Sequence, residues 1–213
     1  MSLLSVLENG LFALGQVLRF PVMALLWVCV AAALFMAGAC LVEFVGRRRE
    51  RSGFRIETWL RGGAVLGADR ARVAQLPSSL RKLAAQVEAQ RADGFEMGSL
   101  ENIVLQSEEG VRHALTAPRT LVKIGPSLGL LGTLIPMGTS LASLAAGNLE
   151  AMAGQMVVAF TTTIIGLATG TLAYAVAVIR QGWVNQDVRE QRFLAERIAV
   201  EIAEPERQFA GRR

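Results

Sequence analysis

The sequence contains one histidine, His113, and two cysteines among 213 residues. A lone histidine without Cys or His companions at ligand spacing excludes the usual zinc patterns, so no metal site and no cofactor are expected. Cys29 and Cys40 lie in one apolar run. On a helix they stand about three turns apart, roughly 16 Å of rise, which is outside disulfide reach. They read as buried apolar fillers. Charged residues are scarce, at 19% against 52% hydrophobic, where soluble domains carry about 25%. Residues 125–138, GPSLGLLGTLIPMG, are rich in glycine but lack the Lys-Ser/Thr of a phosphate loop. No basic face interleaved with aromatics suggests nucleic acid as a partner. The apolar runs hold no acid–base pair for an intramembrane enzyme and no polar or aromatic cluster for a transporter's substrate pocket. MSLLSVLENG lacks a basic n-region, and the first apolar run is too long for a signal h-region, so no removable signal peptide is expected.

What the chain does have is three long apolar runs. Phe20–Val45 carries no charge before Glu43, and Ile124–Ala146 and Met152–Ile179 carry none. Each exceeds the roughly 20 residues needed to cross a hydrocarbon core. The pattern predicts an all-α membrane protein with transmembrane helices over 20–45, 122–146 and 152–180. Residues 1–19 form an amphipathic, interfacial segment. Residues 147–151 form a short turn. Positive charge is uneven: one Arg in 1–19, fourteen Lys plus Arg in 46–123, none in 147–151 and seven in 180–213. By the positive-inside rule, the N-terminus and the short turn lie outside, while the segment 46–121 and the tail 181–213 are cytoplasmic. The pI near 9.8 then reflects topology.

The middle segment is too long for a simple loop. Leu80, Leu83 and Val87 predict a helix over 79–92, and Leu100, Val104, Val111 and Leu115 predict another over 97–115. Asp93-Gly94 is a turn signal between them. Residues 53–67 stay unassigned. The third span continues as a charged helix towards Pro205, with Trp183 as an interfacial anchor. Long cytoplasmic helical extensions are therefore expected.

The polar and small residues of spans two and three carry the remaining information. At about 100° per residue, Pro126, Gly129, Thr133, Met137 and Ser140 share one face of span two. Ala159, Thr163, Gly166, Gly170, Ala173 and Ala177 share one face of span three, with Thr162 at its flank and Thr161 nearly opposite. Gly125-xxx-Gly129 and Gly166-xxx-Gly170 let helices approach closely. Such faces fit helix packing, with each Thr hydroxyl bonded back to its own helix. They equally fit a polar lining, because a hydroxyl can donate to a carboxylate and accept from a carboxylic acid. Neither span holds an Asp or Glu. If protons pass here, the titrating group must come from another chain.

Residues 125–133, GPSLGLLGT, resemble the A-P-x-x-G-L-x-G-T segment that opens the second span of the MotA/TolQ/ExbB proton-channel family. Residues 159–170, AFTTTIIGLATG, resemble the T-x-x-G-L segment of its third span, and the order of spans, long cytoplasmic segment and charged tail is similar. The resemblance implies a homopentameric ring in a bacterial or archaeal cytoplasmic (inner) membrane, surrounding a MotB/TolR/ExbD-like single-span partner that carries a membrane Asp. It implies that Thr133 and Thr163 line the ion pathway, with Thr162 beside them, and that proton motive force drives work in or across the periplasm. Two positions depart from the ExbB-type pattern: Val158 stands where that pattern has Glu, and Pro136 is foreign to it. In length the chain resembles TolQ or ExbB more than a flagellar MotA. The residues alone also fit an oligomeric membrane scaffold without ion conduction, or a sodium-driven stator.

Overall fold

A computed structural model describes residues 3–51, 56–61, 63, 70–91 and 97–210. Every regular element among the described residues is an α-helix: α1 (Leu3–Arg51), α2 (Ile56–Arg61), α3 (Arg70–Val73), α4 (Ser78–Arg91), α5 (Met97–His113), α6 (Thr116–Ala145) and α7 (Leu149–Ala210). Helices α1, α6 and α7 each contain a stretch long and apolar enough to cross a membrane, and the protein is a multi-pass membrane protein. The N-terminal segment is helical and continuous with span one, since α1 runs from Leu3 through Pro21. Asp93-Gly94 and most of 53–67 lie outside the described residues.

The chain divides into two compact units, one of residues 1–40 and 116–178, the other of 41–115 and 179–213. The first is the apolar unit. Its core joins Val22, Leu26, Cys29 and Ala33 of α1 to Leu121 and Leu128 of α6 and Ala173 of α7. Large side chains on the other faces are exposed, Phe20, Trp27 and Phe35 of α1 and Ile164 and Tyr174 of α7 among them. In a span, such a surface meets lipid or other protein chains rather than water. Both cysteines are buried and free of disulfide.

The turn between α6 and α7 is tighter than the five residues expected. Gly147, at φ +74°, ends α6 in the left-handed conformation that suits glycine. Its N–H donates to Leu144 O at 2.9 Å, and Asn148 N–H donates to Ser143 O at 2.9 Å, which satisfies two terminal carbonyls. Asn148 then caps α7, its Oδ1 accepting from Ala151 N–H at 3.0 Å. One residue ends a helix and the next begins another, so α7 restarts at Leu149.

The second unit has an apolar core of its own. Trp59, Leu76, Leu80, Leu83 and Val87 pack with Ile103 of α5 and with Leu194 and Ile198 of α7. The heptad-like spacing of α4 and of the α7 tail puts these residues on single faces. A smaller cluster joins Leu115 to Val184 and Val188. Glu108, itself buried, accepts two bonds from Arg192, one of them from Nη2 at 2.9 Å, and ties α5 to α7.

Candidate functional site: the glycine crossing of α6 and α7

Helices α6 and α7 of the apolar unit meet backbone to backbone. A Cβ added to Gly166 would lie 2.6 Å from Gly129 Cα, 2.8 Å from Gly125 O and 2.9 Å from Gly129 N. One added to Gly170 would meet Pro126 Cγ at 2.7 Å. One on Gly125 would lie 3.2 Å from Gly166 O, and one on Gly129 would lie 3.1 Å from Gly166 Cα. Ordinary carbon contacts need about 3.5–4.0 Å. Only glycine fits Gly166 without moving a helix, which is the close approach that small-xxx-small spacing allows. Ser140 extends the contact: it is buried, and its hydroxyl donates to Met152 O at 3.3 Å.

The contact face of α6 is rotated by about one residue from the face read off the sequence. Gly125, Leu128, Gly129, Gly132, Pro136 and Ser140 are buried. Thr133 is only half-buried and Met137 is exposed. On α7, Ala159, Gly166, Gly170, Ala173 and Ala177 are buried as one stripe, while Thr163 is half-buried. Both threonines therefore sit at the rim of the crossing, not inside it. They are at one level. A Cβ on Gly132, next to Thr133, would touch Thr162, and one on Gly129 would lie 3.5 Å from Thr163 Cα.

The three candidate hydroxyls differ in commitment. Thr162 is buried, wedged against Gly132, and its Oγ1 donates to Ala159 O at 2.8 Å. Thr133 Oγ1 donates to Leu130 O at 2.7 Å. Thr163 Oγ1 shares the Ala159 carbonyl, but at 3.5 Å, the outer limit for such a bond. The Thr163 proton is thus the least engaged of the three. Thr161 is exposed and bonds back to Val157 O at 2.8 Å.

Val158 faces a groove of about 430 Å³ between α1 and α7, walled by Met23, Leu26, Trp27 and Val30. An ionised carboxylate at that position would be surrounded by apolar walls, so valine suits its setting. His113 ends α5, exposed. No group of metal-ligating side chains is found among the described residues.

Three apolar helices, two of them locked by glycine with a pair of hydroxyls at the rim, define a polytopic membrane protein whose polar face is uncharged. A family model of the MotA/TolQ/ExbB proton channel family matches residues 74–192, from just before α4 to well along α7. The chain belongs to that family, and it is a membrane proton-channel subunit. No curated protein and no solved structure gives a significant match.

Sequence periodicity missed Gly132 and Pro136 on the buried face of α6. The spacing Gly125, Gly129, Gly132 would have located the contact face, had it been centred on the glycines alone. Which of two overlapping stripes wins depends on the partner helix, which periodicity does not contain.

Proposed function

We propose that the chain is the ring-forming subunit of a proton-driven membrane motor of TolQ/ExbB size, expected as a homopentamer in the bacterial or archaeal inner membrane. Its N-terminus and the α6–α7 turn face the periplasm, and the second unit and the tail are cytoplasmic, as the positive charges favour. A single-span partner of the MotB/TolR/ExbD kind supplies the membrane Asp, since neither span here supplies a carboxylate. Thr133 and Thr163 line the ion pathway, with Thr162 holding the wall behind them.

The observation that carries this reading is the rim position of the two threonines. Each belongs to a small-residue stripe, yet each is only half-buried while its glycine neighbours are buried. A hydroxyl left over from packing is available to another chain. Each donates to its own helix, which leaves oxygen lone pairs free to accept from a protonated carboxyl. Rotation of the hydroxyl away from the backbone then lets it donate to the carboxylate. Thr163 gives up the weaker bond and moves first. A charge at mid-membrane costs about 2.5–3.5 kcal/mol on insertion scales. Hydrogen bonds to a charged group return about 1.5–3 kcal/mol. One such bond nearly balances the cost, so the ion is admitted without being trapped. Each proton delivers about 2.3 kcal/mol per 100 mV.

Proton flux in vesicles containing the chain and its partner tests the assignment. Thr133→Val and Thr163→Val, which preserve shape and remove the hydroxyl, are expected to abolish flux with assembly intact. Undiminished flux in both would leave the threonines as packing residues of a scaffold.

A further inference from the structure

On the second unit, α5 and α7 flank a groove of about 440 Å³. Its floor is apolar, from Val104, Leu105, Ala195 and Ala199, and its rim carries Glu101 and Glu196. Glu108 also lines it but is already tied to Arg192. Elsewhere in the unit charges answer one another: Arg47 donates from Nη1 to Asp187 Oδ1 at 3.0 Å and meets Oδ2 through Nη2 at 2.9 Å. In the groove, three glutamates against one arginine leave two net negative charges, on a chain whose net charge is +4.

A second surface stands beside the groove on α7. Phe193 and Val200 form an apolar knob there, flanked by the exposed Arg189 and Arg197. Leu105, Phe193 and Val200 are 52%, 39% and 49% exposed. All of these residues lie outside the three long apolar runs, so lipid tails do not cover them. Exposed apolar groups rimmed by charge mark a protein contact, and aromatic and Arg side chains are the ones interfaces favour.

The relation between the two surfaces selects a second copy of this chain as the occupant. Their charges are complementary, two net negative in the groove against Arg189 and Arg197 on the knob. They stand at one height, since the groove takes residues 192–199 of α7 and the knob residues 189–200. They point about 100° apart around the helix, with Leu194 and Ile198 on the far side, in the core. Two unlike surfaces that meet make a head-to-tail contact, and equal heights close it into a ring rather than a filament. In a ring of five, each copy sees its neighbours about 108° apart, which the two faces nearly match.

We propose that Phe193 of one copy seats in the α5–α7 groove of the next, with Arg189 and Arg197 facing the acidic rim, so that the second unit itself closes the ring. This rests on the ring-forming reading above and names the surface that sets its register.

Cysteine cross-linking of the purified full chain in its complex tests it, with oligomer mass read in parallel by native mass spectrometry. Wild type is the blank, since its Cys29 and Cys40 are buried. The double variant Leu105→Cys with Val200→Cys, treated with a short bismaleimide, is expected to give a ladder of covalent oligomers up to the full ring. Each single variant is expected to give none. Adding Phe193→Ala to the double variant should lower the ladder yield about tenfold. Phe193 is exposed, so its truncation should leave the fold intact. Covalent dimers from either single variant mean that like surfaces meet, and overturn the proposal. So does a bond from Leu105→Cys to a different protein of the complex, or an unchanged yield in Phe193→Ala. A ring by mass without a ladder overturns it and leaves the ring-forming reading standing, whereas a monomer by mass overturns both.

Discussion

Gly166→Ala is the most informative perturbation of the α6–α7 crossing. The added methyl would begin 2.6 Å from Gly129 Cα and 2.8 Å from Gly125 O. Both obstacles are backbone, so no side chain can swing aside. To restore a carbon contact of about 3.5 Å the helices must part by roughly 1 Å. Overpacking of this kind costs about 1–3 kcal/mol. Alanine also gains up to about 1 kcal/mol over glycine in helix propensity, which masks part of the cost. Gly154→Ala is the control: it lies on the same helix, and nothing is within 4 Å of its added Cβ. The propensity gain is common to both variants, so their difference isolates the steric cost. At about 2–4 °C per kcal/mol for a chain of this size, Gly166→Ala should melt roughly 2–12 °C below Gly154→Ala. Intrinsic fluorescence of the purified chain in detergent, heated slowly, reads this difference. Proton flux should fall in Gly166→Ala and persist in Gly154→Ala, because parting the helices moves Thr133 relative to Thr163. Equal melting of the two variants would refute the backbone contact and the placement of the threonines derived from it.

The other expectations concern the turn and the buried ion pair. Asn148→Ala removes the cap on Ala151 N–H and should cost about 1 kcal/mol, seen as a lower melting temperature. Gly147→Ala places a side chain at φ +74° and should cost about 1–2 kcal/mol by the same assay. Asp187→Ala leaves Arg47, whose side chain is 25% exposed, with Glu43 as its remaining carboxylate, and should destabilise the chain by less than the about 3–5 kcal/mol of an uncompensated buried charge. The paired change Arg47→Met with Asp187→Leu should recover most of that loss, and failure to recover would mean that Asp187 acts through other partners.

The sequence by itself determined the membrane class and the three spans, because an uncharged run of more than about 20 residues has no other stable solvent. It also announced α4 and α5 through Leu80, Leu83, Val87 and Val104, since a 3.6-residue period leaves few alternatives. Gly125, Gly129, Gly166 and Gly170 were readable as small residues at contact spacing. Only the tertiary structure decided which neighbouring stripe of α6 turns inward, and thus that Gly132 is in the contact while Thr133 stays at its rim. Two faces one residue apart are nearly equal in size and polarity, and the choice rests on what Gly166 and Thr162 present from the other helix. The same holds for Arg47 and Asp187, 140 positions apart. No local rule joins residues that far along a chain, and folding alone brings them within bonding distance.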